Sequence, residues 1–385
     1  MRILFVMILA LTQNSMAQIS LPTLKDLVDI NSGSSNLEGN AMVRDHLIPL
    51  FTELGFQAQV VDGTGNRKIL VFDFPGANPK VMFVGHTDTV FDLNSPFQKL
   101  SVDGNIASGP GASDMKGGLL MMLQVLKNLK DPSLLKQIRI AINDDEETGS
   151  MNSSAKLREL AQDIPNVLIF EPASQGEIIT SHPGLMWLKL SVTGLASHAG
   201  EHPKEGINAC VELSRKIDQL ARLTNYDKNI LVNPGVIEGG TKANVVCEKA
   251  SVTLDVRYVN PEDKMEVLKA IQAIADKVYN FNAYLQKGAS SQLQTLVDIA
   301  SMPESSTHSL AQKYMAVAQS LGVSMTSAFS GGVASYGLAL PGKNLLNGLG
   351  PVETGMHSSD EKMYLKESED KIRIATEFVK KVLSE

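Results

Sequence analysis

The chain has 385 residues, 43% of them hydrophobic and 20% charged, which is the make-up of a globular protein long enough for two domains. A formal net charge of −7 argues against the basic face of a nucleic-acid binder, so no nucleic-acid partner is expected.

The N-terminus, "MRILFVMILALTQNSMAQIS", joins one positive residue, Arg2, to an apolar run from Ile3 to Leu11, with small residues Ser15 and Ala17 flanking Met16. This predicts a secretory signal peptide over 1–17, cleaved after Ala17, and a periplasmic or secreted product. The apolar run is too short to span a bilayer and no later segment reaches the required length, so no membrane contact is expected after cleavage.

A helical pattern follows from Leu37 to Phe56, with Gly55 as its stop and Pro49 predicting a kink or break. "KILVFDF" (Lys68–Phe74), "KVMFVGH" (Lys80–His86), "QIRIAIN" (Gln137–Asn143) and "NVLIF" (Asn166–Phe170) read as buried strands, with helices over Met115–Leu129 and Ser153–Ala161 between the later ones. This alternation predicts an α/β fold: a mixed, mostly parallel sheet with helices on both faces.

The middle of the chain differs. "LMWLKLSVTG" and "KASVTLDVRYV" read as strands, Gly206–Leu223 and Asn260–Tyr279 as helices, the second capped by Asn260 with Pro261 at its first position. We expect an inserted smaller α+β domain at 182–292, the larger domain being built from 18–181 and 293–385. The larger fold resumes with a helix near His308–Leu321, a Gly-rich turn "SGGVASYG" and a final helix from about Glu367. Of the two cysteines, Cys210 falls on an apolar helical stripe with Ile207, Val211, Ser214 and Ile217. Export makes a disulfide with Cys247 possible, but the stripe favours a buried free thiol. Neither cysteine is a candidate for catalysis or metal.

Polar candidates gather at the predicted strand ends, where open α/β sheets carry function. "GHTD" supplies His86 and Asp88, spaced so that a carboxylate can orient a ligating imidazole. "GPGASDMKGG" supplies Asp114, "DDEE" the acids Asp144, Asp145, Glu146 and Glu147, "FEP" Glu171, and "GMHSSDE" His357. Taken singly each has a simpler explanation: a solvated acid run, a turn or cap Asp, a loop Glu or a core His. Taken together they form the ligand set of a two-metal hydrolytic site.

The ordered series "GHTDTVF", "SDMKGG", "DEETGS", "FEPAS", "ASHAGEHPKEGINA", "KANVV", "DVRY" and "GMHSSDE" resembles the M20 family of metallopeptidases, most closely its carboxypeptidase G2 (glutamate carboxypeptidase) branch. The resemblance implies two zinc ions, with Co2+ or Mn2+ as possible substitutes. His86, Asp114 and Glu171 would hold one, and Asp114, Glu147 and His357 the other, with Asp114 bridging and a cis peptide after it. It implies that Glu146 is the general base, that Asp88 orients His86, and that His198 and Asn244 steady the oxyanion, His198 from the partner subunit of a homodimer. Arg257 would bind the substrate carboxylate, the simpler account being a strand-face pair with Asp255. Asp145 is assigned to loop amides and Asp144 to a solvated surface.

The expected activity is that of a metallocarboxypeptidase releasing a C-terminal amino acid from a peptide or N-acyl amino acid. The rivals are an N-acyl amino acid amidohydrolase and a non-catalytic metal-stabilised binding protein; Glu146 speaks against the latter. One departure bears on specificity. Glutamate-releasing members carry a Lys in the loop after the "EP" ligand, whereas "EPASQGEIITSHPG" has none between Glu171 and Gly184. Lys287, before Gly288, is left as a second basic residue for the main carboxylate. A substrate side-chain carboxylate would be desolvated without a partner, so neutral or apolar C-terminal residues are expected to be preferred.

Overall fold

The computed structural model describes residues 18–334, 336–339 and 342–385, so the expected signal peptide lies outside the described residues. The described residues divide into two compact units, one of residues 18–181, 304–330, 334, 336–339 and 342–385, the other of 182–303 and 331–333.

The first unit is built on a six-stranded sheet in the order Gln57–Asp62, Lys68–Asp73, Ile138–Asn143, Val81–His86, Asn166–Ile169 and Asn344–Leu346. The first two strands run antiparallel to their neighbours and the other pairings are parallel. The Val81 strand is buried along its whole length, as a central parallel strand must be. Register matters most at its end, where His86 lies beside Asn143, the residue that leads into the acidic run. The end of this central strand thus lies beside the start of the acidic run.

Helices Leu37–Thr52, Lys116–Leu129 and Glu304–Ser320 pack on strands of this sheet, and helix Leu365–Ser384 packs on the Lys116 helix. The Leu37 helix starts where the Asn36 side chain accepts the Gly39 amide. It continues through Pro49 to Thr52, so the proline, where a kink or break was expected, does not end the helix. No helix among the described residues is long and apolar enough to cross a membrane.

The second unit is a four-stranded antiparallel sheet in the order Leu231–Gly239, Lys249–Tyr258, Gly184–Thr193 and Ser290–Ile299, with helices Ala209–Ala221 and Pro261–Asp276 on one face. Both outer strands escape the sequence reading. The Leu231 strand contains Pro234 and Gly235 and is mostly exposed, and the Ser290 strand is largely polar, as edge strands are. The Ser290 strand also corrects the expected boundary at 292/293, which cuts through a strand paired from Ser290 to Ile299 with the Gly184 strand.

The cysteines require a further correction. The expected free thiol is a disulfide between Cys210 and Cys247, with Cα atoms 5.7 Å apart. The Ala209 amide donates to the Cys247 carbonyl at 2.8 Å, which seats the first turn of the Ala209 helix beside the segment entering the Lys249 strand.

Candidate metal centre

His86 ends its strand with its ring fully buried. Its Nδ1 bonds the backbone carbonyl of Asp88 at 2.8 Å, with Asp88 Oδ1 at 3.3 Å, which leaves Nε2 aimed at Asp114 Oδ1 (3.2 Å) and Glu171 Oε1 (3.5 Å). The Asp88 carboxylate has a larger task than orienting the ring: it accepts the amides of Glu146 and Glu147 at 3.0 and 3.2 Å and the Ser34 hydroxyl at 2.7 Å. His86 and the acidic turn are therefore located by one residue.

Asp114 sits between two groups. Its Oδ1 faces His86 and its Oδ2 faces His357 Nε2 at 3.0 Å, while the same Nε2 lies 3.2 Å from Glu147 Oε2. The Asp114–Met115 peptide is cis. His357 occupies the left-handed backbone region at φ 64°, a conformation uncommon for a non-glycine residue and found disproportionately at functional sites.

Donor atoms of His86, Asp114 and Glu147, and of His86, Glu146 and Glu171, lie within 4.8 Å of one another. Glu146 is thus within ligand range as well as base range, and its pKa lies well above the ordinary value because of burial and the charge of Glu171. Glu147 is pushed up to about 7 by burial and by Asp114. Burial acts upward on Asp114 too, but hydrogen bonds from His357 and His86 hold it well below the usual carboxylate range. Hydrogen bonds to Asp114 and Glu147 raise His357 to about 11. Four crowded carboxylates and two imidazoles at these distances form a donor set that would fit a dication, which such groups bind in exchange for protons.

Of the two other acids, Asp145 accepts the Asn152 and Ser153 amides at 2.9 and 3.2 Å, the loop role assigned to it. Asp144 is not a solvated surface acid. It is 1% exposed, paired with Arg44 Nη1 at 2.6 Å and bonded to the Lys68 amide at 3.1 Å, since the Leu37 helix and the Lys68 strand close over it.

The remaining candidates belong to the second unit. His198 is exposed, its Nδ1 accepts the amides of Gly200 and Glu201, and it pairs through its backbone with Val245, beside Asn244. Arg257 makes the Asp255 pair of the simpler reading, Nε to Oδ1 at 3.1 Å, and donates from Nη1 to the Gly331 carbonyl. Lys287 is exposed on a short hairpin opposite Asn282.

Two residues near the metal ligands went unread in the sequence. The hydroxyl of Tyr336, from the Gly-rich turn, bonds Glu171, and it lies 3.3 Å from Met115 Sδ. Glu361, four residues after His357, binds the Asp114 loop. Neither stands at the carboxyl end of a strand, where most of the other candidates were sought; Glu361 instead directly precedes the short strand Lys362–Tyr364.

Residues 70–173, which hold His86 to Glu171, match the model described as Peptidase family M28, and residues 180–282 match the Peptidase dimerisation domain of M20 enzymes. The sequence is 32% identical to carboxypeptidase G2 from Pseudomonas sp. (strain RS-16) over 269 residues, which is 66% of this chain and 63% of that protein. The chain thus carries the dimerisation domain of M20 peptidases and spans somewhat less than two thirds of the length of carboxypeptidase G2. The M28 match covers only the segment that holds the candidate ligands. The sequence is also 28% identical to acetylornithine deacetylase from Pectobacterium carotovorum, over 54% of its length and 58% of that protein. Its fold is that of an M20 metallo-carboxypeptidase from Sulfolobus solfataricus, with a TM-score of 0.72 at 16% identity over 95% of this chain and 99% of that one.

Proposed function

We propose that this chain is an M20-type, exported, dinuclear zinc exopeptidase that releases a C-terminal amino acid from a peptide or N-acyl amino acid, and that it acts as a homodimer. The observation that carries the reading is the division of labour at Asp114, whose two oxygens face His86 with Glu171 on one side and His357 with Glu147 on the other. Imidazole and carboxylate donors suit zinc and also accept cobalt or manganese. The dimerisation-domain match supports the homodimer. The disulfide supports export, since such bonds persist in oxidising compartments, as does the signal-like N-terminus.

His86, Asp114 and Glu171 would hold one dication and Asp114, Glu147 and His357 a second, and such ions, when bound, would lower the pKa of a water towards neutrality and polarise the scissile carbonyl. Glu146, held by its amide to Asp88, takes the proton from the attacking water and passes it to the departing amine. His198 keeps Nε2 free for an oxyanion, because its Nδ1 is engaged by two amides, with Asn244 beside it. Arg257, oriented by Asp255, takes the substrate carboxylate, with Lys287 as a second basic residue.

The stretch from Glu171 to Gly184, part of which folds as strand Glu177–Ser181, carries no Lys to meet a substrate side-chain carboxylate, which supports a preference for neutral or apolar C-terminal residues over glutamate. The test is kcat/KM on matched N-acyl-leucine, -alanine and -glutamate substrates, before and after chelation and zinc return. We expect metal-dependent turnover that favours leucine or alanine. A preference for glutamate overturns the specificity, and turnover indifferent to chelation overturns the metal centre. The deacetylase relative favours a second reading, an amidohydrolase selective for the acyl half; varying that half with the amino acid fixed separates the two.

A further inference from the structure

Glu361 is 1% exposed, and its carboxylate is spent wholly on the loop that ends in Asp114. Oε1 accepts the Ser113 amide at 2.8 Å, the Ser113 hydroxyl at 3.0 Å and the Asp114 amide at 3.1 Å, and Oε2 accepts the Gly111 amide at 3.3 Å. Its own backbone is fixed on both sides. The Glu361 amide donates to the Ser358 carbonyl at 3.1 Å, inside the turn that follows His357, and its carbonyl accepts the Ser108 hydroxyl at 2.6 Å. Lys116, also buried, donates its Nζ to the Ile30 carbonyl and counters the Glu361 charge from a distance.

We propose that Glu361 is a positioning residue that fixes the bridging Asp114 and locks its loop to the His357 turn, so that two ligands of one metal arrive as a single preorganised piece. The proposal rests on the dinuclear reading given above. A carboxylate that collects three backbone amides and a hydroxyl is a strong, directional clamp, because charge-assisted hydrogen bonds are roughly twice as strong as neutral ones. The amide of Asp114 is itself one of the clamped groups, so any drift of the loop moves the oxygens that meet His86 and His357. Groups that hold metal ligands in this way change metal affinity or activity by ~10–100-fold when removed.

The test compares wild type with Glu361→Ala, Glu361→Gln and Ser113→Ala as full chains. Each is stripped of metal, titrated with Co2+ in competition with a chelator, melted in the metal-free state, and assayed for kcat and KM. We expect wild type to take up two Co2+. Glu361→Ala should lose at least ~10-fold in cobalt affinity and lower kcat at little-changed KM. Glu361→Gln should fall between, since its amide oxygen can accept the three Oε1 donors while its NH2 opposes the Gly111 N–H. Ser113→Ala, which removes one donor, should be mildest. Cobalt affinity and kcat equal to wild type in both Glu361 variants overturn the proposal, as does a loss of metal-free stability with affinity unchanged. If Glu361→Ala does not fold, Glu361→Gln decides on the same criteria. Wild type that binds no cobalt overturns the metal centre itself, and the proposal with it.

Discussion

At the scale of single residues, the acidic run shows how neighbours of one type acquire different tasks. Asp144 neutralises Arg44, Asp145 satisfies amides, Glu147 reaches His357, and Glu146 is left with its carboxyl buried among acids. Glu146 also lies within ligand range of His86 and Glu171, so its role as base needs a direct test. Glu146→Gln should lower kcat by ~10²–10⁴-fold, the usual contribution of a general base, while the protein keeps its metal. Metal analysis beside the rate measurement checks this. Loss of metal in the variant would instead make Glu146 a ligand.

At the scale of elements, ligands are placed by close approach of backbone to backbone. Gly118, in the first turn of the Lys116 helix, has no room for a Cβ: one built there would stand 2.3 Å from the Phe170 carbonyl oxygen, immediately before Glu171. Gly118→Ala should therefore push helix and strand end apart. Overpacking of this kind costs ~1–3 kcal/mol, and here it should also weaken metal retention. Thermal unfolding of the metal-free variant measures the first effect, and an unchanged midpoint would refute the close approach. In the second unit the disulfide closes a loop of sequence separation 37 between the Ala209 helix and the Lys249 strand. Replacing both Cys210 and Cys247 by Ser should cost ~3–4 kcal/mol, read as a lower denaturant midpoint. An unchanged midpoint would mean that the bridge contributes nothing in solution. The Asn260 cap is a smaller lesson: it heads its helix as expected, but its side-chain amide donates to Asp263 Oδ2 at 2.9 Å and accepts no helix amide.

At the scale of the whole molecule, the candidate metal ligands lie in one compact unit, and His198, Asn244 and Arg257 in the other. If His198 acts on the site of a partner subunit, His198→Ala and Glu146→Gln proteins should each be inactive alone and recover activity when mixed. Random exchange leaves one complete site in each hybrid dimer, hence roughly a quarter of wild-type activity. Absence of recovery, with subunit exchange shown independently, would take His198 out of the partner's site.

What the sequence determined by itself was the buried half of the protein. The apolar runs ending at His86, Asn143 and Phe170 could only be central strands, and polar residues gathered at their ends had only one place to meet. Asp114, Glu171 and His357 were therefore legible as candidates, because they stand in motifs whose order resembles that of a family, and the structure brings them together. The tertiary structure decided what depends on partners distant in the chain. Asp144 became a buried ion pair through a residue 100 positions away, Glu361 became a clamp through a loop nearly 250 positions away, and Cys210 met Cys247 where the Ala209 amide bonds the Cys247 carbonyl, ahead of the Lys249 strand. The polar edge strands Leu231–Gly239 and Ser290–Ile299 were illegible for the same reason: their hydrogen bonds to neighbouring strands define them, and no apolar run in the sequence announces such bonds.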